Sequence, residues 1–287
     1  MPDLPQLPAP DSMATALRER LAGAFPYPFG QVDWVEQTGS TNADLLARAR
    51  ARSNGADSAK AGAKPWLLGA HLQQTGRGRA GRAWQNRPGA ALMFSCAFDT
   101  PLAAASLPVL SPLAGLAACE ALRAVAGLGG DGLRVKWPND VQWGDAKLAG
   151  ILVETTRNLA ARPASHTVVI GMGMNLCDAD RLSSELGRDI ADWTATRCLA
   201  PMSDIVHAVA LAWQAALDEV ARNGFEAFVE RFRRLDALAG RHIRVLDRGA
   251  VLHHGIAAGA DAHGRLLIRT DAGDIPVSVG EISVRAT

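Results

Sequence analysis

The chain has 287 residues, 48% of them hydrophobic and 5% aromatic, with a formal net charge of +1. That length holds one large domain plus a small one around a proper core, and the near-neutral total removes any global electrostatic case for binding nucleic acid or a membrane surface, so a basic function has to be local. The four cysteines, Cys96, Cys119, Cys177 and Cys198, have no paired C-x-x-C spacing, which argues against a metal or redox motif and predicts reduced, buried thiols.

The N-terminus, MPDLPQLPAPDS, is proline-rich and acidic, unlike a signal or transit peptide. Residues 1–11 read as disordered and Ser12–Leu21 as a short helix before the breakers Pro26, Pro28 and Gly30. The core opens with a strand over 31–37, then a helix at TGSTNADLLARARA, where Thr41 and Asp44 have the spacing of a capping box and place GSTN at a helix N-terminus. A polar loop over 53–65 precedes a strand over 66–74, which runs into the arginine-rich segment GRGRAGRAWQNRPG at 76–89. An apolar strand follows over 90–98.

The alanine-rich stretch 101–130 carries Pro108, Pro112, Glu120 and Arg123 and so falls short of an uninterrupted membrane span of about 20 residues. Ser111 and Pro112 predict an N-cap and first turn for a helix that Gly127, Gly129 and Gly130 end. Strand-like runs then occupy 133–143, 147–156 and 166–175, and two amphipathic helices occupy 203–222 and 225–238, with Val206, Val209, Trp213, Leu217 and Val220 on one apolar face and Phe225, Phe228, Phe232 and Leu235 on the other. From Gly240 the pattern changes to short alternating strands broken by DAHG and DAGD turns. The reading is an α+β fold, a mixed β-sheet with flanking helices, divided into a leader (1–30), a catalytic unit (31–239) and a small β-barrel (240–287).

Between Ser58 and Phe98 there is no Asp or Glu, while Lys60, Lys64, Arg77, Arg79, Arg82 and Arg87 all fall inside the window. Gly76–Gly81 formally matches a dinucleotide fingerprint, but that motif needs a helix directly after the glycines, and Pro88 and Gly89 forbid a long one here. A loop of glycines and arginines suits a small anion, because the backbone can approach closely and guanidinium groups bond phosphate or carboxylate bidentately. A solvated basic loop that touches nucleic acid is the alternative.

Farther on, VKWPNDVQWGDAKLAGILVE places Lys136 and Lys147 on either side of Trp137-Pro138-Asn139-Asp140, and an anion is expected to compensate them. GMGMN at 171–175 puts two glycines and Asn175 at the end of a strand, where open sheets bind ligands; close strand packing explains such glycines equally well.

Taken in order, GSTN, QQTGRGRAGRAW, KWPNDV, KLAGILVE and GMGMN resemble the catalytic domain of the bacterial biotin protein ligases, over about residues 31–287. The resemblance implies a catalytic fold like that of class II aminoacyl-tRNA synthetases followed by an SH3-like barrel. It implies a reaction in which biotin and MgATP form biotinyl-5'-AMP and pyrophosphate, the acyl group then passing to a lysine on the biotin carboxyl carrier protein of acetyl-CoA carboxylase. Biotin contacts are then expected from Ser40, Thr41, Asn42, Gln73, Arg77, Gly78, Arg79, Lys147 and Gly150, and contacts to ATP or the adenylate from Arg77, Arg79, Arg82, Trp84, Lys136, Asn139, Asp140 and Asn175. Lys147, Arg79 and Lys136 are the expected catalytic cations; the resemblance assigns no Mg2+ ligands.

Many members carry an N-terminal winged helix-turn-helix, for which residues 1–30 leave no room, so a monofunctional, cytoplasmic enzyme without DNA as a partner is expected, as a monomer or homodimer. A lipoate or octanoate ligase on the same fold is the nearest rival, and the polar residues at 40–42 and 73 argue against it.

Overall fold

The computed structural model describes residues 7–24, 27–53, 63–158, 165–247, 249–280 and 282–286. Seven strands form the larger sheet: β1 (Gln31–Thr38), β2 (Trp66–Gln73), β3 (Ala91–Thr100), β4 (Leu133–Lys136), β5 (Asp140–Trp143), β6 (Ala146–Asn158) and β7 (Ser165–Asn175), in the order β1-β2-β3-β7-β6-β5-β4. Only β1 and β2 run parallel, joined by the crossover helix α2 (Thr41–Ser53); every other neighbour is antiparallel. The sheet is therefore mixed, as the sequence implies.

Because successive side chains point to opposite faces, β3 sends Leu92, Phe94, Cys96 and Phe98 to one side and Ser95 and Ala97 to the other. The first set joins the main core, shared with α1 (Pro10–Leu21), α3 (Leu110–Ala126), α5 (Met202–Asn223) and α6 (Glu226–Leu235). On the opposite face, Leu45, Leu46 and Ala49 of α2 cover only part of the sheet, packing on Trp66, Leu68, Ala97 and Val169. The uncovered remainder of that face is where the cleft forms.

Several local expectations need correction. Helix α1 starts at Pro10, inside the stretch read as disordered, since proline's fixed φ suits a first turn; it buries Met13, Ala14, Leu17 and Leu21. The expected 53–65 loop lies largely outside the described residues. Ser40, not Thr41, supplies the cap of α2, its Oγ accepting from Ala43 N at 3.4 Å, while the Asp44 carboxylate takes the Thr38 hydroxyl. Ser111 is no N-cap: α3 continues from a 3-10 turn (Ala104–Val109) and begins at Leu110, burying Ser111.

Against the composition-based reading, the run Ala104–Gly130 is long and apolar enough to cross a membrane by length and composition, and its most apolar window is 72% buried inside the protein. Its charged residues are satisfied locally: Arg123 donates to the carbonyls of Gly130 and Leu133, and Glu120 pairs with Arg231 of α6. Cys96 and Cys119 are buried as expected, whereas Cys177 and Cys198 are half-buried. Burial pushes the Cys119 thiol up to about 12.

After α6, which stops at Leu235 and not at 238, five antiparallel strands form the second sheet: β8 (His242–Asp247), β9 (Ala250–Ala260), β10 (Leu266–Thr270), β11 (Gly273–Val277) and β12 (Ile282–Ala286), in the order β11-β10-β9-β8-β12. This is the SH3-like unit. It is tied to the larger sheet by the buried Trp137 indole, which donates to Gly264 O at 3.0 Å.

Candidate active site

The register of the large sheet sets out the floor of the cleft. Lys136 pairs with Asp140, Asp140 with Gly150 and Gly150 with Gly173, a row across β4, β5, β6 and β7 on the face that α2 leaves open. Lys147 reaches the same face through a bulge: Val141 opposes Ala149 but Gln142 opposes Lys147, so Leu148 is the extra residue. Leu148 and Ala149 both turn into the core, and Lys147 turns to the cleft with Nζ 2.6 Å from Asp140 Oδ1. Its backbone is fixed by Asp189 O, 3.2 Å from Lys147 N, and by Ala191 N, which donates to Lys147 O at 2.9 Å.

The expected anionic partner is thus present for Lys147. Lys136 has no salt bridge among the described residues, and burial lowers its ammonium pKa, with Asp140 opposing the shift.

The arginine loop is ordered by its own backbone. Trp84 N donates to Gly76 O at 2.9 Å and Gly78 N to Arg82 O at 2.7 Å, while Ala80 (φ 54°) and Gly81 (φ 69°) take left-handed backbone at the tip. No α-helix follows Gly81, which removes the dinucleotide reading. Not every arginine faces the cleft: Arg87 pairs with Asp178 at 3.1 Å, and Lys64 of the same basic island with Asp99 at 2.8 Å. Arg79 is directed across to the KWPND turn, with Nη1 donating to Asn139 Oδ1 at 3.2 Å and Nη2 to Gly280 O. Burial lowers its pKa, opposed by Asp140.

Trp84 lies against bare backbone. A Cβ on Gly173 would come within 2.5 Å of its ring, and one on Gly150 within 3.1 Å of Lys147 Nζ. Gly171 is required for the same reason, since a Cβ there would sit 2.1 Å from Asn42 Oδ1. The glycines of GMGMN therefore make room for two cleft side chains. The indole nitrogen of Trp84 is buried without a hydrogen-bond partner among the described residues.

At the far end, Ser40, Thr41 and Asn42 at the start of α2 meet Gln73 and Ser95. Gln73 Oε1 accepts from Thr41 N at 2.8 Å, Thr41 Oγ1 is 2.7 Å from Ser95 Oγ, and Ser95 Oγ donates to Asn42 Oδ1 at 2.6 Å. This end is polar and uncharged at the cleft surface.

All the residues expected to contact biotin or the adenylate line this one cleft except Asn175. Asn175 is buried beneath it, its Nδ2 donating to Ala191 O at 3.0 Å and Lys147 O at 3.4 Å, so it braces the strand that carries Lys147. Among the described residues the cleft is lined by Arg77, Arg79, Arg82, Lys136, Lys147, Arg188 and Arg285, against the single carboxylate of Asp140.

Residues 47–175 match the Biotin/lipoate A/B protein ligase family and residues 239–285 the Biotin protein ligase C terminal domain. The biotin acetyl-CoA-carboxylase ligase of Mycobacterium tuberculosis is 32% identical over 275 residues, covering 93% of each chain. The chain belongs to the biotin protein ligase family.

Within the family, the bifunctional ligase/repressor BirA of Salmonella typhimurium is 31% identical over 76% of this chain, and the chain spans 66% of that protein's length. The fold is that of the Aquifex aeolicus biotin protein ligase solved in complex with biotin and ATP, with a TM-score of 0.70 at 22% identity, covering 90% of this chain and 99% of that one.

The chain also has cleft residues that its sequence did not single out. Arg188 comes from the segment after α4 (Ala179–Leu186), Arg285 from β12, and Ser95 from an unbroken apolar strand. Arg188 and Arg285 carry no local motif; Ser95 was legible as the one hydroxyl in the middle of ALMFSCAF.

The expected Mg2+ finds little on the protein: Asp140, the only described carboxylate lining the cleft, is held by Lys147, and the described residues contain no cluster of three His, Cys, Asp or Glu that would hold an ion.

Proposed function

We propose that this chain is an ATP-dependent biotin protein ligase that forms biotinyl-5'-AMP and passes the biotinyl group to a lysine of the biotin carboxyl carrier protein of acetyl-CoA carboxylase. One observation carries the reading: a single cleft joins an uncharged hydrogen-bonding end to a wall of seven cations. Biotin has a neutral ureido ring at one end and a carboxylate at the other. The polar end, with Ser40, Thr41, Asn42 and Gln73, suits the ring, and Arg77, Gly78 and Arg79 suit the carboxylate.

In the first step a carboxylate oxygen attacks the α-phosphorus, an acyl–phosphate bond forms, and the bond to pyrophosphate breaks. Two anions must approach and negative charge grows on the leaving group, so preorganised cations lower the barrier. Lys147, held by Asp140, and Lys136 are our assignments for that task, with Arg79 joining the two ends and Arg82 and Trp84 covering the adenylate. In the second step the carrier lysine amine attacks the acyl carbon, an amide forms, AMP leaves and the amine's proton is released. Neither step needs a protein nucleophile.

A cytoplasmic location, a catalytic unit over 31–239 and an SH3-like unit over 240–287 complete the reading; the C-terminal family match beginning at residue 239 supports that division. Mass spectrometry of the small molecules released after adding MgATP with biotin, or with lipoate, tests it. Biotinyl-AMP from biotin alone is expected. Lipoyl-AMP would overturn the assignment of the polar end, and no adenylate from either acid would overturn the reaction.

A further inference from the structure

The polar end of the cleft is backed by one charged group that plays no part in the scheme above, the carboxylate of Glu154 on β6. Its Oε2 accepts from Asn42 Nδ2 at 2.9 Å, and the same nitrogen donates to Leu152 O at 3.3 Å. An ionised carboxylate and a carbonyl are acceptors only, so the Asn42 amide has one orientation, with Oδ1 toward Ser95. Ser95 must give its single hydroxyl proton to Asn42 Oδ1, at 2.6 Å. In its 2.7 Å contact with Thr41, Ser95 is therefore the acceptor and Thr41 the donor.

Gln73 Oε1, 3.3 Å from Thr41 Oγ1, competes for that same proton, and the shorter contact takes it. Thr41 Oγ1 then has only lone pairs to offer the cleft. Gln73 Oε1 is occupied by Thr41 N at 2.8 Å, which leaves Nε2 as the free, donating end of that amide.

We infer that Glu154 is a positioning residue for substrate recognition: through Asn42 and Ser95 it sets the direction of this hydrogen-bond chain, so that Thr41 accepts an N–H and Gln73 donates to a carbonyl. That pattern complements a cyclic urea. Without the carboxylate only the longer 3.3 Å contact to Leu152 O keeps the Asn42 amide from turning, and a turned amide lets Ser95 donate to Thr41, whose own proton then competes for the place of a ligand N–H. The inference rests on the biotin reading, and Glu154 itself does not line the cleft.

The test is a double-mutant cycle on the full chain, with biotin and ATP affinities measured by titration calorimetry. Glu154→Leu is expected to weaken biotin binding roughly 10- to 100-fold, the cost of a mis-set buried hydrogen bond, and to leave ATP affinity unchanged. Thr41→Val removes the hydroxyl through which Glu154 acts, so the double variant is expected to bind biotin no more than about 3-fold more weakly than the worse single variant. Glu154→Gln keeps an acceptor oxygen and is expected to stay within about 5-fold of the parent chain.

Single effects that multiply in the double variant, or an unchanged biotin affinity in Glu154→Leu, would overturn the inference. Should Glu154→Leu not fold, Ser95→Ala cuts the same chain at its middle and takes its place in the cycle. A parent chain that binds no biotin would instead overturn the biotin reading.

Discussion

At the scale of single residues, the chemistry depends on side chains placed where solvation alone would not leave them. Lys147 is held on the open face by a bulge and by Asp140, and both side chains are partly exposed, at 19% and 27%. Its removal frees a carboxylate that water can reach, so Lys147→Ala should melt within a few degrees of the parent chain yet lose roughly 100-fold or more in adenylate formation. Pyrophosphate release with biotin and ATP reads the rate, and a wild-type rate would remove Lys147 from the mechanism.

Asp236 shows the opposite case, a charge placed where it costs stability. It is buried, its Oδ1 accepts from Leu238 N at 2.8 Å, Oδ2 has no partner among the described residues, and burial raises its pKa to about 6. The folded form thus holds a proton that the unfolded chain has released, and the contribution of this group to stability falls as pH rises from about 4 to about 6. Asp236→Asn should match the parent chain near pH 4 and exceed it by roughly 1–3 kcal/mol at pH 7. Equal stability at pH 7 in denaturant titrations would show that the carboxylate is solvated.

At the scale of elements, the arginine loop and the KWPND hairpin work as a pair. The loop is closed at its base by Asn86, which bonds Gln73 N at 3.1 Å and Gln73 O at 2.9 Å, but its tip reaches the hairpin and the second sheet mainly through Arg79. A ligand bridging the seven cations should therefore order the tip more than the base. Tryptic cleavage within residues 76–89 is expected to slow when biotin and ATP are present together, and equal cleavage rates would count against the loop as a cover.

The elements themselves were largely legible from pattern. Short apolar runs marked β2, β3, β6 and β7, and the 3.6-period stripe of α5 is buried at Val206, Val209, Trp213, Leu217 and Val220. Helix starts were less legible, because a Ser or Thr before an apolar run matches several cap positions, and hydrogen bonding selected Ser40 over Thr41 for α2 and none at Ser111 for α3.

At the scale of the whole molecule, a net charge of +1 hides a strongly uneven field: among the described residues seven cations and one carboxylate line one cleft. ATP carries several negative charges and biotin one, and screening shortens to about 10 Å at 0.1 M salt. The KM for ATP should thus rise more steeply with ionic strength than the KM for biotin, and parallel slopes would argue that the outer cations Arg188 and Arg285 do not meet the triphosphate.

By itself the sequence determined the mixed sheet, the change of texture at Gly240, and the local strings that carry most of the cleft, because periodicity, turn residues and closely spaced motifs are properties of neighbours along a chain. Tertiary structure decided which charges meet. Only cross-strand register puts Lys136, Asp140, Gly150 and Gly173 in one row, only the bulge at Leu148 turns Lys147 to the open face, and only the packing of the second sheet brings Arg285 to the cleft and Gly280 to Arg79. The same packing took Asn175 out of the cleft and made it a brace. Each of these depends on contacts between residues distant in sequence, which no window along the chain contains.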